Sequence, residues 1–201
     1  MKIVGVLGGS FNPIHNGHLS IAKYAHEQMG IPEILIMPTA STYYKDDSCL
    51  IPSEKRMDMI RLAISENEAE DYMKPSYLDI NRGGITYTYD TINDLKKFYD
   101  KIYFIIGADS LMYIDKWKKA DEFLPKCILL TALREGISDN EIKDKCDILV
   151  KSFGAKIILL DMNMIMISSS EIRKRIRKGQ SVNGMLPDSV LEYIIENSLY
   201  I

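Results

Sequence analysis

Two histidines three residues apart, His15 and His18, stand in the junction Gly8-Gly9-Ser10-Phe11-Asn12-Pro13-Ile14-His15-Asn16-Gly17-His18, between an apolar run and a segment of helical periodicity. At a helix start that spacing puts both imidazoles on one side of the first turn. Free backbone N–H groups and the positive end of the helix dipole gather there too, so a polyanion is the natural guest. Gly8 and Gly9 let the backbone approach a ligand closely, and Asn16 is a suitable N-cap. Two imidazoles on this surface could hydrogen-bond a transferring phosphate. No third ligand stands near enough in sequence to suggest a metal. The competing reading is a pair of surface histidines in a capping loop.

A second anion-holding turn is written near the far end, at Ile167-Ser168-Ser169-Ser170-Glu171-Ile172-Arg173. Ser168 and Glu171 have the spacing of a capping box, which predicts a helix start just after a strand. Arg173 lies four residues after Ser169 and three after Ser170, so the two hydroxyls and the guanidinium share one face. Together they can serve one anion. The alternative is a well-capped helix with solvated arginines. Five positive charges crowd into residues 173–178, and composition alone favours the solvated face over a polyanion patch or a phosphate site.

Groups so far apart in sequence can act together only if the elements between them fold back. Apolar runs bounded by turn residues predict strands at 2–8, 33–37, 75–81, 102–107, 127–132 and 156–161. Helical periodicity predicts helices at about 17–29, 53–66, 88–99, 110–122, 139–150, 169–177 and 188–197. This alternation is that of an α/β parallel sheet with helices on both faces. In such open sheets ligands sit at the carboxyl ends of the strands. The polar stretches fall there: Gly8 to His18, Thr39 to Lys45, Gly107 to Asp109, Thr131 to Arg134 and Ile167 to Arg173. Residues 38–52 form the longest irregular stretch.

Composition excludes several classes. With 25 Lys and Arg against 28 Asp and Glu, the net charge is -3, which argues against a nucleic-acid coat. Cys49, Cys127 and Cys146 are widely separated and lack nearby His, so neither a zinc site nor a disulfide framework is expected. No stretch approaches the roughly 18 apolar residues of a spanning helix, and the opening run is too short for a signal peptide. The expectation is a cytoplasmic, single-domain chain without a membrane partner. The chain could form a homo-oligomer.

The pattern Gly9-x-Phe11-x-Pro13-x-His15-x-Gly17-His18 closely resembles the signature of the nucleotidylyltransferase superfamily, a Rossmann-like group whose HxGH box contacts ATP phosphates. Residues 167–173 resemble its second motif, ISSTxxR. Within that group, Gly84-Ile85-Thr86-Tyr87-Thr88-Tyr89-Asp90-Thr91-Ile92 and Phe104-Ile105-Ile106-Gly107-Ala108-Asp109-Ser110-Leu111 are similar to stretches of the nicotinate-nucleotide adenylyltransferases. Trp117, Leu186-Pro187 and the tail from Tyr193 to Tyr200 also resemble that family.

The resemblance implies a single nucleotidylyltransferase domain over 1–201, with a phosphate-binding helical part at about 167–201. It implies an enzyme of NAD biosynthesis joining ATP and nicotinate mononucleotide to give nicotinate adenine dinucleotide and pyrophosphate, with Mg²⁺ accompanying ATP. His15, His18 and Arg173 are the implied catalytic residues. The two histidines would steady the α- and β-phosphates, and Ser169, Ser170 and Arg173 the leaving pyrophosphate. Gly8, Gly9, Ser10 and Phe11 belong to the first turn, Gly107 and Asp109 to the adenosine site, and Ile167 to the adenine wall. Thr86, Tyr87 and Thr88 would hold the nicotinate end, and Trp117 would stack on the ring. As the only tryptophan it could otherwise be a core residue, but Lys116, Lys118 and Lys119 indicate a partly wet position. Arg134 completes the nucleotide-binding set. Where the family shows a proline-rich turn ending in His-Lys, this chain has Thr42-Tyr43-Tyr44-Lys45, and only Lys45 is carried over, as a phosphate contact. The competing functions are a pantetheine-phosphate adenylyltransferase-like enzyme and a non-catalytic nucleotide-binding module.

Overall fold

The computed structural model describes residues 1–41, 50–132, 139–162 and 167–201. Among the described residues six strands are present: β1 (Ile3–Gly9), β2 (Ile34–Pro38), β3 (Met73–Pro75), β4 (Lys101–Gly107), β5 (Ile128–Ala132) and β6 (Lys156–Leu160). All pair in parallel, in the order β3-β2-β1-β4-β5-β6. Ile102 to Ile106 are all buried, as continuous apolar strands must be when both sheet faces are covered. One core lies between the sheet and α1 (Asn16–Met29), α2 (Ser53–Glu66), α8 (Ser169–Arg177) and α9 (Asp188–Glu196). The other lies beneath α4 (Thr88–Leu95) and α7 (Asp139–Phe153). This is the expected Rossmann-like α/β fold. The chain leaves β1 toward one edge and later returns at β4 to build the other half, so a crevice opens beyond Gly9 and Gly107.

Helix starts and stops follow local chemistry. α1 buries Leu19, Ile21, Ala22 and Ala25 and ends at Gly30, whose φ of 61° lies in the left-handed region that glycine enters without a steric penalty. α8 begins where the capping box predicts, with Ser168 Oγ accepting from the Glu171 N–H at 3.2 Å. α9 is docked by Glu66 at the end of α2, whose carboxylate accepts from the Asp188 and Ser189 N–H groups at 3.0 and 2.7 Å.

Two expected elements are corrected. The strand expected at 75–81 ends at Pro75, and Leu78–Arg82 is instead a short helix, α3. Helical spacing there lets Arg82 bridge Asp79, three residues back, and Asp94 of α4. The helix expected at 110–122 is broken into α5 (Ala108–Leu111), a 3-10 turn (Ile114–Lys116) and α6 (Ala120–Phe123). The break is conformational: Trp117 is extended and Lys119 has a φ of 55°.

Candidate active site

The turn after β1 is held from beneath. Phe11, at φ 45°, is 1% exposed. Its ring meets the His18 ring edge-on at 4.9 Å, and a Cβ at Gly9 would stand 3.4 Å from it. Phe11 therefore supports the site from the core and does not line the cleft. The cap of α1 is His15, not Asn16 as expected. Asn16 is instead the first helical residue and donates through Nδ2 to the Gly184 carbonyl at 2.9 Å. Each histidine ring faces the other's backbone N–H in a capping box. Only the contact from the His15 N–H to His18 Nδ1, at 3.3 Å, has hydrogen-bond geometry, so His15 Nδ1 is buried without a partner. Burial lowers the His15 pKa to about 4, so this ring is neutral at pH 7.

The start of α8 closes on the same turn. Ser169 Oγ donates to the Pro13 carbonyl at 2.8 Å and Arg173 Nη1 to the Asn12 carbonyl at 2.7 Å. Arg173 Nε is buried with no hydrogen-bond partner. Ser170 is exposed, its hydroxyl 3.2 Å from that of Ser168. The serines and arginine thus meet at one place, although Ser169 spends its hydrogen on the turn.

These groups border a cleft of about 480 Å³ at the carboxyl ends of the strands, within the range of small-molecule sites. Gly8, Gly9, Ser10, His15 and His18 line it from the first half of the sheet, and Gly107 and Asp109 from the second. Thr86, Tyr87, Thr88 and Trp117 line it as well, with Ile167, Ser169, Ser170 and Arg173. Lys45 and Arg134 lie outside the described residues. Asp109 is the second residue of α5, whose cap is Gly107.

At the α4 end, Thr86 is tied to the exit of β2: its Oγ1 accepts from the Ala40 N–H at 3.0 Å and its N–H donates to Ser41 at 3.0 Å. Tyr87 caps α4 in extended conformation, with Lys118 Nζ 3.7 Å from its ring centroid. Trp117 is half-buried, edge-on to Phe104 at 6.4 Å, as a partly wet aromatic wall requires. Beneath them Asp79, 4% exposed, accepts from Thr91 Oγ1 at 2.6 Å and Arg82 Nη1 at 2.8 Å. Burial raises its pKa against the pull of Thr91 and Arg82.

Sequence reasoning missed Asp79 and Arg56. Arg56 is 1% exposed and donates to the carbonyls of Ser10 and Thr39, both at 2.8 Å, and of Ile51 at 3.1 Å. It laces the exits of β1 and β2 to the start of α2. Its signal was available: Arg56 falls on the stripe of Ile60, Ala63 and Ile64, where an apolar residue is expected. Among the described residues no three His, Cys, Asp or Glu side chains converge on a metal position, and no helix is long and apolar enough to cross a membrane.

The match to known proteins agrees with this geometry. Residues 6–175 match the family model described as cytidylyltransferase-like. A protein of Lachnoclostridium phytofermentans named "Probable nicotinate-nucleotide adenylyltransferase" is 40% identical over 203 residues, covering 100% of both chains. One of the same name from Dehalococcoides mccartyi strain CBDB1 is 38% identical over 199 residues, covering 98% of this chain and 96% of its own. Among solved structures, the Plasmodium falciparum nicotinic acid mononucleotide adenylyltransferase complexed with NaAD superposes with a TM-score of 0.77 at 24% identity, covering 100% of this chain and 98% of the other. With a cleft at the strand-order reversal, two capped helix starts closing on it and full-length likeness at this identity, the chain belongs to the cytidylyltransferase-like family and, within it, to the nicotinate-nucleotide adenylyltransferases.

Proposed function

We propose that this chain transfers the adenylyl group of ATP to the 5′-phosphate of nicotinate mononucleotide, as one domain over residues 1–201 with 167–201 as its phosphate-binding part, in the cytoplasm. The observation that carries the reading is one cleft with two anion-favouring ends. His15, His18 and Arg173 stand at the first; Lys118 and the start of α4 stand at the second, beside the aromatic wall of Trp117. A triphosphate suits the first end and a charged aromatic ring the second.

The substrate phosphate oxygen attacks the α-phosphorus in line, a P–O bond forms, and the bond to the leaving pyrophosphate breaks. The attacking group is already an anion at neutral pH, so alignment and charge stabilisation outweigh general base catalysis. His15, neutral in its buried position, offers a hydrogen-bond donor without adding charge. Arg173, fixed to Asn12, supplies the cation for the leaving group. Mg²⁺ accompanying ATP would supply neutralisation of phosphate charge.

A pyrophosphate-release assay with ATP and Mg²⁺ tests this against its rivals. Release should depend on added nicotinate mononucleotide and not on phosphopantetheine. Release with phosphopantetheine alone would favour the rival transferase, and binding without release a nucleotide-binding module.

A further inference from the structure

Asn12 lies where four parts of the chain meet at the phosphate end of the cleft. Its carbonyl holds Arg173 Nη1 at 2.7 Å. Its side-chain Oδ1 accepts from the Tyr200 hydroxyl at 2.8 Å and, less closely, from the Ile51 N–H at 3.5 Å. Asn12 is 4% and Tyr200 8% exposed, so this hydrogen bond between residues 188 positions apart is shielded from water. It also joins two strained stretches of backbone. Phe11, beside Asn12, has φ 45°, while Ser198 and Tyr200 have φ 50° and 65°. Non-glycine residues enter the left-handed region at a cost, and they keep it where the surrounding structure over-determines them. Burial pushes the Tyr200 phenol well above its usual range, with Arg173 and Arg56 pulling the other way, so the hydroxyl stays a donor at any working pH.

We infer that Tyr200 is a positioning residue for the phosphate end of the site. Its hydroxyl fixes Asn12, and Asn12 fixes both the Arg173 guanidinium and the turn that leads into His15 and His18. The inference rests on the assignment of that end to ATP. A purely structural tail is the competing account, and Tyr193 provides the control. It belongs to the same C-terminal segment, but its hydroxyl donates to Asp58 of α2, at 3.0 Å, and has no bond to the turn. Losing either hydroxyl removes one hydrogen bond; only that of Tyr200 goes to a residue lining the cleft, Asn12.

The test compares full-length Tyr200→Phe, Tyr193→Phe, Asn12→Ala and the Asn12→Ala/Tyr200→Phe double variant by thermal unfolding, ATP calorimetry and steady-state kinetics. Tyr200→Phe should lower kcat and weaken ATP binding about fivefold, the effect of one net hydrogen bond. Its KM for nicotinate mononucleotide should move less than about twofold. Tyr193→Phe should show the thermal loss without the loss of ATP affinity. The double variant should be no worse than Asn12→Ala, because the two residues act in series. Equal effects of Tyr193→Phe and Tyr200→Phe, or additive losses in the double variant, would overturn the inference, and should Tyr200→Phe not fold, wild-type kcat and ATP affinity in Asn12→Ala would overturn it too. If the wild type bound ATP but used no pyridine mononucleotide, the acceptor assignment would fall, and the ATP affinities alone would still decide the role of Tyr200.

Discussion

The imidazoles of His15 and His18 stack with their centroids 3.6 Å apart and their planes 21° from parallel. Two protonated rings so placed would repel each other, and burial has already disfavoured charge on His15. The ring C2–H resonance of His15 should therefore titrate with a midpoint near pH 4. A midpoint near the ordinary histidine value of about 6.5 would contradict the neutral-donor assignment.

The same burial makes stability pH-dependent. The folded pKa of His15, about 4, lies below its ordinary value of 6.5, so the unfolded chain binds the proton more readily. The contribution is complete above the unfolded pKa and is lost as pH falls from about 6.5 through 4, on the order of 3 kcal/mol in all. Denaturant melts at pH 7 and 4.5 should lose part of this difference in His15→Gln. An unchanged pH slope would show that other groups cause the acid sensitivity.

His18→Ala should lower kcat by roughly 10²–10³-fold, the scale for one preorganised transition-state donor. It also removes the acceptor of the His15 N–H, so about 1 kcal/mol of stability should go with it. Wild-type turnover by the folded variant would remove His18 from the reaction.

On α8, Arg173→Lys keeps the charge but not the planar fork that reaches Asn12 while leaving Nε free, so turnover should fall at least about tenfold. Arg175 pairs with Glu171 at 3.0 Å on a partly exposed face. Arg175→Ala should cost at most about 1 kcal/mol of stability and leave turnover within about twofold. Equal losses at both arginines would indicate a diffuse basic patch.

How much of this was legible depended on whether the signal was local. The Ser168-x-x-Glu171 spacing located the α8 start because capping is decided within one turn. Five of the six strand positions followed from apolar runs for the same reason, while the run at 75–81 gave only the last residue of β3. The break around Trp117 was not legible, because a helical pattern from 110 to 122 conceals the tertiary need to turn the indole into the cleft. Phe11 carried a motif position but not its side-chain direction, which the left-handed backbone sends into the core. Asn16 was the better N-cap by residue type, yet His15 takes that place while Asn16 is held by Gly184 and Met185, over 160 residues away.

Substrate choice supplies a further prediction. A carboxylate offers only acceptors, whereas an amide replaces one by a donor. With Lys118 and the start of α4 at that end of the cleft, kcat/KM should favour nicotinate over nicotinamide mononucleotide by roughly 5- to 150-fold. Trp117→Ala should weaken both substrates and preserve most of the ratio, while Lys118→Met should shrink it. Equal kcat/KM values in the wild type would show that the selectivity is assigned wrongly.

The most direct measurement follows the label from ATP carrying a radioactive α-phosphate, incubated with Mg²⁺, nicotinate mononucleotide and the full chain. The account predicts that label passes into nicotinate adenine dinucleotide, with one pyrophosphate released per dinucleotide, and that His18→Ala slows both together. Label that stays in ATP, or pyrophosphate released without dinucleotide, would contradict it.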